Sequence, residues 1–248
     1  MNRDLLVINT ITFLHNIKNG ELQETLISKI NDLDVKNVEI RREMIKNFDR
    51  ELKEIRRVSE KYNMKVLYST PESLYVMGKF DKKGVSRYID EAEQMGAKMI
   101  KLILGDYSGI SSEDEVALKE ILGKHDITLM VENDQSKAGG TLQRLLPFLN
   151  LCKEKEIKIF STFDIGNWLW TGEDPLVNAM ELEEFTKYIH LKDIIIENSV
   201  PNTTYLNEGS ISWKEVLKIF SSDIPVALEY PCGAEAEKVL KEEMKKLF

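Results

Sequence analysis

Short apolar runs alternate with amphipathic stretches along the whole chain, and turn-forming residues set them apart. Leu5–Thr10 is the first run. In the segment after it, Leu22, Leu26, Ile30 and Leu33 recur at helical spacing. Val38–Arg41, Lys65–Thr70, Met99–Leu104, Ile127–Glu132, Ile157–Asp164, Tyr188–Asp193 and Ile224–Tyr230 read as further strands. Between them, helices are predicted over Phe48–Tyr62, Val85–Met95, Val116–Leu122, Gly140–Glu156, Leu176–Lys187 and Ser212–Phe220, with a last one over Ala234–Leu247. The punctuation agrees. Pro71 is expected to stop the third strand, Gly96 to close a helix, Ser111 and Ser112 to cap one, and Pro175 to open one.

Strands alternating with helices imply parallel pairing and right-handed crossovers. Eight such pairs in 248 residues, with no linker or repeat, predict a single-domain (β/α)8 TIM barrel spanning residues 1–248. An open doubly wound sheet is the competing architecture. It usually carries a glycine-rich phosphate turn after its first strand, and here that turn is Asn9-Thr10-Ile11-Thr12-Phe13.

Alternation along a strand then assigns faces. With Leu129 and Val131 turned to the helices, Thr128, Met130 and Glu132 point into the barrel. By the same rule Phe160, Thr162 and Asp164 point inward, as do Tyr188, His190 and Lys192, and Ala227 and Glu229. Four consecutive strands therefore end on an inward ionisable group: Glu132, Asp164, His190 and Glu229. Each alone reads equally well as a solvated strand-end residue. Burying all four without a partner would cost several kcal/mol per charge. A divalent cation is the natural partner, and an oxygen-rich set with one nitrogen favours Mn²⁺, Mg²⁺ or Co²⁺.

Earlier strands add candidates. Glu39 and Arg41 read as an ion pair closing the barrel mouth. An inward Lys101 suits either a substrate oxygen or charge balance for the acids. His15 follows the first strand on the catalytic side, within reach of substrate, whereas His125 lies at the opposite end and reads as a surface residue. Trp168 and Trp170 follow Asp164, either walling a sugar pocket or packing against loops.

A net charge of −8 and a pI near 5.2 disfavour a nucleic-acid-binding protein, which usually shows a basic surface. Cys152 and Cys232 make neither a disulfide framework nor a metal cluster, and read as free thiols of a reducing compartment. The N-terminal apolar run is too short for a signal peptide, and no run approaches a membrane span; a cytoplasmic location is the expectation.

Val131-Glu132-Asn133-Asp134, Phe163-Asp164-Ile165-Gly166-Asn167, His190-Leu191-Lys192-Asp193, Glu208-Gly209-Ser210-Ile211-Ser212-Trp213 and Leu228-Glu229-Tyr230 together resemble the xylose isomerase-like TIM-barrel superfamily, in its sugar (phosphate) isomerase/epimerase branch. The resemblance implies that Glu132, Asp164, His190 and Glu229 are metal ligands, with Glu132 and Glu229 also the acid/base pair. It implies proton transfer next to a ketose carbonyl through an enediolate, on a small sugar or sugar phosphate. Lys101, Lys192, Asn167, His15 and Trp168 would contact that substrate. A lyase like inosose dehydratase, or a barrel that binds carbohydrate without turnover, are the alternatives. Barrels of this type often form homo-oligomers. Two features depart from the family pattern. Asn167 stands where a histidine is common, and no arginine follows the seventh strand. The DNA-repair branch needs extra histidines, and this chain has three in all.

Overall fold

The computed structural model describes residues 2–248. Eight parallel strands close on themselves: β1 (Leu6–Asn9), β2 (Asn37–Arg41), β3 (Lys65–Val76), β4 (Met99–Gly105), β5 (Thr128–Glu132), β6 (Ile159–Asp164), β7 (Thr186–Leu191) and β8 (Val226–Leu228). Closure comes from β1 pairing with β8, Val7 opposite Ala227, and from β2 pairing with β3, Glu39 opposite Leu67. Helices α1 (Gln23–Asn31), α2 (Phe48–Tyr62), α3 (Lys82–Met95), α4 (Ser112–Lys124), α5 (Leu142–Glu154), α6 (Pro175–Leu182), α7 (Trp213–Ile219) and α8 (Ala236–Lys245) follow the strands in turn. This is the (β/α)8 TIM barrel.

The helices begin and end on local chemistry. Asp81 accepts the Gly84 N–H at the start of α3, and Gly96, at φ 79°, turns the chain out of it. Ser111 and Asp114 form a reciprocal capping box on α4. Ile8, Val38, Ile100, Leu129, Ile189 and Leu228 are fully or almost fully buried on the outer face of the sheet, in the core they share with the helices. Inside the barrel a smaller apolar layer of Val7, Leu67, Met130, Tyr188 and Ala227 forms the floor, with Met99 and Phe160 beside it. The polar residues stand above this floor, at the strand C-termini.

Three expectations need correction. Strand β3 does not stop at Pro71. Proline interrupts the ladder because it has no N–H, yet the chain bulges and pairs again, Ser69 opposite Lys101 and Ser73 opposite Ile103. The helix expected over Leu176–Lys187 ends at Leu182, and after a 3₁₀ turn β7 starts at Thr186. The segment after the seventh strand, where no element is expected before the helix at Ser212, carries a hairpin: Asp193–Glu197 pairs antiparallel with Val200–Thr204. Asn198 and Ser199, both at positive φ, form its two-residue turn.

Cys152 and Cys232 are free and buried. Among the described residues no helix is long and apolar enough to cross a membrane.

Candidate metal and catalytic site

The alternation rule holds at the strand ends. Glu132 from β5, Asp164 from β6, His190 from β7 and Glu229 just beyond β8 bring ligand atoms within 4.8 Å of one another, all in buried side chains. His190 Nδ1 is the common point, 2.6 Å from Glu132 Oε1, 3.3 Å from Glu229 Oε2 and 3.9 Å from Asp164 Oδ2. On its other side, His190 Nε2 lies 3.0 Å from Glu39 Oε1. Asn9 and the Tyr188 hydroxyl each donate to Glu39 Oε2 at 2.8 Å, so Glu39 anchors the ring from behind.

Basic groups stand against the acids. Lys101 Nζ is 2.6 Å from Glu132 Oε2, and Lys192 Nζ is 2.6 Å from Asp164 Oδ2 and 2.9 Å from Glu229 Oε2. Arg41 contacts Glu229 Oε1 at 2.7 Å and Glu43 at 2.5 Å. The expected Glu39–Arg41 pair therefore does not form. The two side chains part, Glu39 toward β7 and Arg41 toward the end of β8, because the closed barrel brings those strands into reach.

The backbone fixes Asp164 firmly. Its Oδ1 accepts the N–H groups of Gly166 and Asn167, both at 2.9 Å. Asn133 spans to the same strand, donating to the Asp164 carbonyl and accepting its N–H at 2.8 Å. Asn167 in turn donates to the Asn133 carbonyl at 2.9 Å and accepts from Gln135 at 3.2 Å. Asp193 is fully buried and points away from this centre. It accepts from the backbone N–H groups of Ile194, Asn207, Gly209 and Ile211, and so ties the hairpin to the Glu208–Ser212 turn.

Burial pushes the Asp164 carboxyl up to about 7, reinforced by Glu229 and Glu132 and only partly offset by Lys192. Glu132 feels the same burial, but Lys101 and His190 outweigh it and hold the carboxyl at about 2. Glu229 is likewise held well below the ordinary range against burial, by His190, Lys192 and Arg41. Burial alone would deprotonate His190, yet Glu229, Glu39 and Glu132 raise it well above its usual value.

The residues fit a divalent cation. Their donor set is three carboxylates and one imidazole, and Asp164 Oδ2, fully buried, is met by the Lys192 ammonium and not by the backbone, which engages only Oδ1. A cavity of about 380 Å³ opens above them. Lys101, Glu132, Asn167, Lys192 and Glu229 line it, with Arg41, Asp134, Gln135, Ile11, Pro71 and Thr203. His15 and Trp168 do not line it. His15 is exposed on the short helix Leu14–Lys18, and Trp168 is fully buried with its ring 5.4 Å from that of Phe163. Asn9, Asn133 and Gln135 were not singled out from the sequence. Alternation on β1 could have found Asn9; the other two follow β5, where strand periodicity no longer applies.

Solved structures share this architecture. The probable 3-DHS dehydratase AsbF of Bacillus anthracis, involved in petrobactin synthesis, is 16% identical, with 98% of each chain covered and a TM-score of 0.69. The D-psicose 3-epimerase of Clostridium cellulolyticum H10, solved with D-tagatose, is 10% identical over 97% of each chain, with a TM-score of 0.71. The IOLI protein, solved with a bound zinc atom, is 15% identical over 97% of this chain and 95% of its own, at 0.69. Identities this low speak for the fold alone. No curated protein sequence matches the chain significantly. Residues 27–248 match the family profile described as xylose isomerase-like TIM barrel, and that span contains all four clustered side chains. With its barrel closed, the chain belongs to the xylose isomerase-like TIM-barrel family.

Proposed function

We propose that this protein is a metal-dependent sugar isomerase or epimerase, acting on a small polyhydroxy carbonyl compound by proton transfer next to the carbonyl. The observation that carries this reading is the pair Glu132 and Glu229. Both are held ionised, both line the cavity, and both belong to the cluster that fits a divalent cation. A metal held by Glu132, Asp164, His190 and Glu229 supplies Lewis-acid stabilisation of negative charge on substrate oxygens, with Mn²⁺, Mg²⁺ or Co²⁺ the favoured ions. An ionised glutamate at the cavity wall is a base poised to take the α-proton. Each has a proton donor at its side, Lys101 for Glu132 and Lys192 for Glu229. Return of a proton from the opposite face inverts a centre, and delivery to the neighbouring carbon moves the carbonyl. Asn167 and Gln135, which line the cavity, would hold substrate hydroxyls.

One observation favours a second reading. Lys192 keeps its proton firmly despite burial, because Asp164 and Glu229 flank it, and it lines the cavity. An ammonium so placed can protonate a departing β-hydroxyl, which makes the same centre a lyase. The experiment is incubation with a panel of ketoses, sugar phosphates and polyhydroxy keto acids in D₂O. Deuterium at the α-carbon with an isomeric product supports the isomerase or epimerase. A dehydrated, UV-absorbing product assigns the lyase. Binding of a panel member without exchange would make the protein a carbohydrate-binding barrel.

A further inference from the structure

The cluster already contains a cation of its own. Lys192 Nζ lies 2.6 Å from Asp164 Oδ2 and 2.9 Å from Glu229 Oε2, in contact with two of the four candidate ligands. Its seat is shaped for it. A Cβ at Gly166 would fall 2.6 Å from Lys192 Cγ and 3.1 Å from Cε, so a glycine there lets the stem pass close against the β6 turn. The residue is only 7% exposed. The buried acids Glu39, Glu132, Asp164 and Glu229 face four basic groups, Arg41, Lys101, Lys192 and His190. Much of the charge balance is thus supplied by the chain itself, with Lys101, Lys192 and Arg41 in direct contact with Glu132, Asp164 and Glu229.

Balance is not the same as ligation. The Lys192 ammonium sits 2.6 Å from Asp164 Oδ2, on the carboxylate oxygen that the backbone leaves free for a metal. A divalent ion taking up that oxygen and Glu229 Oε2 would meet the ammonium at contact distance. In a buried site, like charges a few ångströms apart repel strongly. We propose that Lys192 is the resident counter-ion of this cluster, holding the cation position when no metal is bound, and that the ammonium and a divalent metal exclude one another there. Lys192 lines the cavity, so a displaced ammonium has room on the substrate side. This assignment rests on the cluster being a metal site, and the test separates the two claims.

The test is calorimetric titration of the full-length protein with Mn²⁺ alone at pH 8, for the wild type, K192M and K192Q, with folding checked by circular dichroism. Removing the competing charge should tighten Mn²⁺ binding on the order of tenfold or more in both variants. Thermal midpoints supply a second readout. Without metal the variants should melt below the wild type, and saturating Mn²⁺ should raise their midpoints by more. Wild-type or weaker affinity in folded variants would overturn the counter-ion role while leaving the metal site standing. Absence of Mn²⁺ binding in all three proteins would overturn the metal reading and this assignment with it.

Discussion

At the residue scale, alternation on strands was sufficient to find the cluster. Glu132, Asp164, His190 and Glu229 all close on one point because each ends the inward face of its strand, although the register is staggered: Asp164 lies opposite His190, but Glu132 lies opposite Thr162, two residues before Asp164. Partners were harder to read than faces. Alternation turned Glu39 and Arg41 inward, but only barrel closure shows that Glu39 meets His190 and Arg41 meets Glu229. Beyond the strand ends the rule lapses, and His15 and Trp168 illustrate it. Both follow a catalytic-end strand, yet one faces solvent and the other the core. The state of Asp164 leads to a prediction. Its carboxyl, raised to about 7 by burial and by Glu229 and Glu132, is protonated below that pH and must lose the proton to ligate. Metal affinity should therefore fall as pH drops from 8 to 6, with more protons released per metal at pH 6. Calorimetry in two buffers of different ionisation enthalpy measures both. A pH-independent affinity would contradict the assignment of Asp164 as a ligand.

At the element scale, the long periodic segments were the legible ones. Helix α2 runs Phe48–Tyr62 as its pattern predicts, since its strongly one-sided polarity leaves a single face to bury. The bulge at Pro71 and the hairpin after β7 were not legible. A bulge depends on the neighbouring strand accepting a shifted register, and Asn198-Ser199 is not among the strongest turn dipeptides. What holds that hairpin is Asp193, with four backbone N–H groups on its carboxylate. Asp193→Ala leaves those donors unsatisfied and should destabilise the protein by about 2–4 kcal/mol. Gly209→Ala should also destabilise, because its Cβ would fall 2.2 Å from Asp193 Oδ1. Urea unfolding monitored by circular dichroism gives both values. A loss below about 0.5 kcal/mol for Asp193→Ala would mean the hairpin is held by other contacts.

At the scale of the whole molecule, the barrel carries an apolar floor beneath a layer of opposed charges. That layer makes metal-free stability depend on pH in a definite direction. Asp164 and His190 both have folded pKa values above their unfolded ones. Each contributes stability that is present at low pH and lost as pH rises through the folded value. Glu132, Glu39 and Glu229 are shifted down, so their stabilisation is complete above about pH 4.5 and does not change across neutrality. The metal-free protein should therefore melt at a lower temperature at pH 8 than at pH 5.5. Saturating metal should reduce or reverse that slope. Differential scanning calorimetry after chelation, and again after reloading, reads this directly; a metal-free midpoint that rises toward pH 8 would contradict the charge assignment.

The proposed metal-dependent proton-transfer centre consists of Glu132, Asp164, His190 and Glu229. Deuterium uptake at the substrate α-carbon, followed by NMR in D₂O, tests it most directly. The metal-loaded protein should exchange that proton for at least one member of the panel. Chelation should abolish exchange and metal should restore it. Glu132→Gln should slow exchange by about 10²–10⁴-fold while the protein stays folded. Exchange that survives both chelation and Glu132→Gln would contradict the account.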